Sequence, residues 1–334
     1  MRHLTNVFQG LLTASPSRFD DPGKFVQLWL HESERVYGDL LVSNSDLGRY
    51  MNEAQAQSKR RFPAYNMAKF FASENADILL FCHFADGVES IGSIGSAEES
   101  TYDQVLAMEN VGDTLEAALV DYNESNVTMN LVLFDDAVKH VCRITRIVSN
   151  PGGHALLVGV GGSGKRSLTK LAAHMCGYNL QMVKITASYS LNDFKNDLQN
   201  MFRRAGVKDE GILFLFLDGQ IMNERFLVYM NDLLASGEIP DLFATEDIDA
   251  ITADVVGKVK AAGLPADRKN CWEYFINAVS NNFSIYFVVG WCCLVISFFF
   301  YFLSISLFYQ FFLLLLFTLK TTKLLCVVKH KLLF

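Results

Sequence analysis

The sequence predicts an α/β fold: a parallel, doubly wound sheet with flanking helices, preceded by a mostly helical domain and followed by an apolar C-terminal tail. Three observations predict it. Between residues 150 and 282, short apolar runs alternate with amphipathic stretches, as in buried parallel strands joined by helices of roughly 10–15 residues. Ahead of residue 125, apolar positions recur at helical rather than alternating spacing. No charged residue lies between Tyr274 and Leu319, and from Phe283 onward Phe, Leu, Ile, Val and Cys dominate. The expected domains are therefore 1–125, 126–282 and 283–334.

Bulk properties bound the rest. A chain of 334 residues has room for two domains at roughly 100–200 residues each. A net charge of −7 and a pI near 5.5 argue against a dedicated nucleic-acid binder, which carries a basic patch. The seven cysteines show no CxxC pair or Cys/His metal spacing and read as reduced, buried thiols of a cytosolic protein. His31, His83, His140, His154 and His174 also lack ligand spacing and read as structural. Arg2 and His3 lead into no apolar run, so no signal peptide is expected.

In the helical region, Phe25, Leu28, Trp29, Leu30, Val36 and Tyr37 mark one amphipathic helix. Residues 87–100 (GVESIGSIGSAEES) read as an exposed loop, and 102–122 as a helix. Over 127–148, Leu131, Phe134, Val138, Val141 or Cys142, and Val148 form one stripe, with Asp135 and Lys139 spaced to pair on the solvent face. Asn150-Pro151-Gly152-Gly153 ends that helix. Strands are expected at 155–160, 182–186 and 211–217, the last ending at Asp218. Helices are expected at 166–175, 191–204 behind a capping box at Ser190, 223–235, 245–262 and 267–280.

The chemistry concentrates at Gly159-Val160-Gly161-Gly162-Ser163-Gly164-Lys165, a GxxxxGK loop between an expected strand and an expected helix. Glycines let the backbone N–H groups converge on a phosphate chain, the helix start adds free donors and its dipole, and Lys165 is placed for the β- and γ-phosphates. Where Ser or Thr would hold magnesium stands Arg166. Ser167 comes one place later, rotated by about 100° on a helix. Asp218, ending a bulky apolar run, is the expected Mg²⁺-holding acid. Gly219 follows it where a general base would stand, so slow hydrolysis is expected; Glu224 is a distant substitute.

These residues carry a family resemblance. Residues 155–165 (ALLVGVGGSGK), 213–221 (LFLFLDGQI) and 224–243 (ERFLVYMNDLLASGEIPDLF) resemble the fourth AAA+ module of dynein heavy chains, the axonemal type most closely. Residues 129–144 resemble the segment leading into that module, and 7–12 with 79–85 the helical end of the third. The resemblance implies one of six modules in a ring, binding ATP or ADP and tuning a microtubule motor while the first module drives the main cycle. It implies intermediate and light chains and microtubules as partners in a full motor, and residence in cytoplasm, cytoskeleton and ciliary axoneme. It implies that a missing Walker B glutamate and a residue other than Ser or Thr at 166 are family traits. It also implies that Leu131, Val132, Leu133 and Phe134 lie near the adenine, against plain core packing. No sensor or arginine finger is expected here, and the alternative is a stand-alone, membrane-attached ATPase or a non-functional truncated fragment.

The tail raises a separate expectation. Residues 283–319 are long enough for one tilted membrane helix or a hairpin of two; Lys320, Lys323, Lys329 and Lys331 follow, and the hairpin keeps both ends cytosolic. Its composition is also what T-rich and A-rich DNA encodes, which favours read-through into non-coding sequence. A cluster of core strands is the third reading; on the other two, the sheet is expected to lack the strand that would follow Asn282.

Overall fold

The computed structural model describes residues 2–41, 43–71, 78–87 and 101–290. They fall into two compact units, one within residues 1–149 with 167–177 and one of 150–166 with 178–290.

The first unit is mostly helical: α1 (Arg2–Leu11), α2 (Pro22–Tyr37), α3 (Asn44–Arg61), α4 (Met108–Ser125) and α5 (Asp135–Val148). Asp21 caps α2 by accepting from the N–H groups of Gly23 and Lys24, with Pro22 at the first helical position. Two short antiparallel strands, β1 (Phe81–Cys82) and β2 (Asp103–Gln104), complete it. Two expected helices start later than their apolar patterns. Residues 103–104 pair as β2, so the helix placed at 102–122 begins at Met108. The helix placed at 127–148 begins at Asp135: Asn123 accepts from Met129 N (2.7 Å) and donates to Met129 O (3.2 Å), holding that segment out of helix. Asp135 and Asp136 then sit in the first turn, where the helix dipole favours acids. Lys139 consequently approaches Asp136 (3.8 Å) rather than Asp135. Of the exposed loop placed at 87–100, residues 88–100 lie outside the described residues.

A buried charged cluster ties this unit together. Glu32 on α2 is fully buried and accepts from Arg146 Nε on α5 (3.1 Å), from Arg146 Nη2, and from the Tyr102 hydroxyl (2.7 Å). His31 and His83 lie buried in the same unit, and burial pushes both imidazoles down, with the Arg146 charge adding to the effect. Gly10 of α1 leaves room for this cluster, because a Cβ there would collide with the Glu32 carboxylate.

The second unit is a four-stranded parallel sheet in the order β3 (Ala155–Gly159), β6 (Phe283–Gly290), β5 (Ile212–Leu217), β4 (Asn179–Gln181). The sheet is flanked by helices, of which α7 (Leu191–Val207), α8 (Glu224–Ser236), α9 (Thr245–Ala261) and α10 (Arg268–Asn282) belong to this unit; α6 (Lys165–Met175) starts in it and runs into the first. Every residue of β5 is buried, as continuous apolar runs require in a sheet covered on both faces. Phe194 of α7 stacks on Phe226 of α8 (4.2 Å between centroids) and lies against Phe214 and Phe216, while Phe202 meets Phe283 (5.4 Å). The capping box at Ser190 and Asp193 starts α7.

Two expectations about the strands are corrected. The strand placed at 182–186 lies earlier, at 179–181, because Asn179 registers with Ile212 and its N–H bonds the Gly211 carbonyl. The strand expected to be missing after Asn282 is present. Phe283–Gly290 sits between β3 and β5, buried at every position but Gly290. The uncharged stretch therefore opens as a core strand. No described helix is long and apolar enough to cross a membrane, and residues 291–334, where the membrane expectation falls, lie outside the described residues.

Candidate functional site

Strand β3 delivers the chain to Gly159, and α6 starts six residues on at Lys165. The loop between turns through positive φ at Gly162 (79°) and Gly164 (75°), conformations that cost a side-chain-bearing residue but not glycine. Gly161 and Gly162 are exposed, Ser163 and Gly164 half-buried, and Val160 is 38 % exposed.

Lys165 folds back into this loop. Its ammonium donates to Gly159 O (2.9 Å), Val160 O (2.7 Å) and Ser163 Oγ (3.1 Å). Burial lowers its pKa, and attraction to Asp218 opposes the shift. The two ends of the sequence signature, Lys165 and Asp218, are thus near enough for their charges to attract.

Asp218 stands at the C-terminal end of β5, where ligand sites of parallel sheets form. Its carboxylate accepts from Gly219 N at Oδ1 (2.8 Å) and from Gly290 N at Oδ2 (2.7 Å). The turn behind it is locked by buried Gln220, whose side chain accepts from Leu217 N (2.9 Å) and donates to Val183 O (2.6 Å). Gly290 is the site residue that sequence reasoning missed; the apolar run 283–290 directly after a helix was the signal for it.

The other candidates are placed as follows. Arg166 is exposed on the first turn of α6, and Ser167 is half-buried beside it. Glu224 is exposed on the first turn of α8. Leu131, Val132, Leu133 and Phe134 form no regular element. Val132 is 81 % and Phe134 48 % exposed and neither packs as core, whereas Leu131 and Leu133 are half-buried.

Magnesium is the metal the motif implies, and the donor set fits it poorly. The hydroxyl position holds a cation, Arg166. Asp218, the carboxylate the motif supplies, accepts two N–H bonds. Gly219 adds no acid although a Cβ there would meet nothing within 4 Å. Among the described residues no group of three or more His, Cys, Asp or Glu side chains is arranged to hold a metal ion.

A parallel sheet whose glycine loop runs from strand to helix, opposite an acid at the end of a buried strand, defines a P-loop NTPase fold of the AAA+ kind. Residues 129–291 match the family described as P-loop containing dynein motor region D4, and residues 1–68 match the AAA+ lid domain. The chain is 52 % identical over 287 residues to the flagellar outer arm dynein alpha chain of Chlamydomonas reinhardtii (86 % of this chain, 6 % of that one). It is 41 % identical over 276 residues to dynein axonemal heavy chain 11 of Sus scrofa (83 % and 6 %). It is 42 % identical over 277 residues to the ciliary dynein beta chain of Tripneustes gratilla (83 % and 6 %). The chain belongs to the dynein heavy-chain family, axonemal type, and covers the fourth motor region with a lid ahead of it. It spans about 6 % of the length of the curated relatives it matches.

Proposed function

We propose that this chain is an ATP- or ADP-binding regulatory module of a ciliary or flagellar dynein motor, with little or no hydrolysis of its own. The observation that carries this reading is the loop from Gly159 to Lys165. Its glycines adopt the φ values a phosphate cradle needs, and the Lys165 ammonium rests on the loop's own oxygens. A phosphate chain entering the loop takes over that ammonium, while the backbone N–H groups of 161–165 and the start of α6 supply the remaining donors.

Weak hydrolysis follows from what stands around Asp218. Gly219 offers no carboxylate to activate water, and Glu224 lies exposed on the next helix. Within a full motor the partners are the neighbouring ring modules, the intermediate and light chains, and microtubules, and the location is the axoneme. The relatives' printed names, flagellar outer arm, ciliary and axonemal, support that placement.

The test is binding of fluorescent ADP and ATP to the wild-type chain and to Lys165→Ala. Loss of a charge-assisted contact worth roughly 1.5–3 kcal/mol predicts affinity lower by about ten- to a hundredfold. Unchanged affinity in the variant would sink the assignment of Lys165, and steady turnover by the wild-type chain would sink the non-hydrolysing role.

A further inference from the structure

We infer that the site takes its nucleotide without a divalent metal, with Arg166 supplying the positive charge that magnesium brings to other P-loops. The inference rests on the nucleotide-binding reading above and concerns the form of ligand: a metal-free nucleoside diphosphate or triphosphate.

Three features point the same way. First, Arg166 occupies the position directly after Lys165, on the first turn of α6, with its side chain exposed and in no ion pair among the described residues. Two consecutive cations at a helix start place two positive charges where the helix dipole already favours an anion. A guanidinium grips phosphate oxygens through two parallel N–H donors, which a hydroxyl cannot do. Second, the hydroxyl that would ligate the metal is displaced to Ser167, about 100° around the helix. Third, Asp218 is held in place. Gly219 N and Gly290 N fix its two oxygens from the ends of β5 and β6. Magnesium demands near-octahedral oxygen coordination and gives up its waters reluctantly. One fixed carboxylate is a poor match to that demand, whereas Lys165 and Arg166, consecutive at the start of α6, are a good match to a bare polyphosphate.

The experiment is a titration of the full chain with fluorescent ADP, once in excess magnesium and once in EDTA, for the wild type, Arg166→Ser and Arg166→Lys. The wild type is expected to bind within about threefold under the two conditions. Arg166→Ser, which restores a hydroxyl at the metal position, is expected to lose about tenfold or more in EDTA and to recover with magnesium. Arg166→Lys, keeping the charge, should stay close to wild type in EDTA. A wild-type chain that loses tenfold or more in EDTA overturns the inference. Arg166→Ser binding as well as wild type in EDTA overturns Arg166 as the source of the charge. No binding by folded wild-type chain under either condition overturns the nucleotide reading itself, an outcome distinct from both.

Discussion

His83 shows how much one residue's surroundings decide. In the sequence it is one of the histidines without ligand spacing, set in a short apolar run. In the fold it is buried beside Tyr102 (4.8 Å between ring centroids), and burial, helped by the Arg146 charge, pushes its pKa down to about 4. Because the folded pKa lies below the unfolded value, the unfolded chain binds the proton more readily between the two. Stability from neutral His83 is therefore complete above about pH 6.5 and is lost as pH falls toward 4, by about 3 kcal/mol in all. Urea denaturation of wild type and His83→Asn across that window checks it: the wild-type profile should be the steeper. Equal slopes would show that His83 does not titrate as its burial requires. At the same scale Lys165 and Asp218 were legible from the sequence, because a glycine loop and a terminal acid are local patterns. Gly290 was not, because its contribution is a backbone N–H delivered 72 positions from Asp218.

Among the elements, helices of the second unit agree with their sequence patterns to within a few residues, since apolar spacing and caps are written locally. The strands of that unit that departed from expectation are those whose bounds depend on a distant partner: β4 on its register with β5, and β6 on the slot between β3 and β5. Packing at the crossing of α7 and α10 is equally non-local. A Cβ on Gly206 would approach Val279 Cγ2 to 2.8 Å and the Phe275 ring more closely still. In an isolated helix Gly→Ala gains about 1 kcal/mol. Here overpacking, typically about 1–3 kcal/mol, should win, so Gly206→Ala is expected to lower stability despite its better propensity. A raised melting temperature in that variant would mean that α10 yields freely at this contact.

At the scale of the whole molecule, the Glu32–Arg146 pair joins two parts of the chain that sequence comparison matches separately. Glu32 lies in the stretch matching the AAA+ lid, Arg146 in the stretch matching the D4 motor region, yet both are buried in one unit. Breaking one partner leaves a buried charge uncompensated, so Arg146→Met is expected to cost about 3–5 kcal/mol. The double variant Glu32→Met with Arg146→Met is expected to recover most of that loss, because no lone charge remains. Chemical denaturation of both variants distinguishes a buried pair from a solvated one: a single variant within experimental error of wild type would show that water reaches the carboxylate.

The sequence alone determined the α/β class, the P-loop, the acid at the end of β5, the absent acid after it and the dynein resemblance. All of these reside in contiguous residues whose spacing carries its own chemistry. Only the tertiary structure decided that the apolar stretch after Asn282 opens as an inner strand of the sheet, that Gly290 helps hold Asp218, and that Glu32 is buried against Arg146. A strand's place and a buried charge's partner depend on which distant segments meet, and no local period records that meeting.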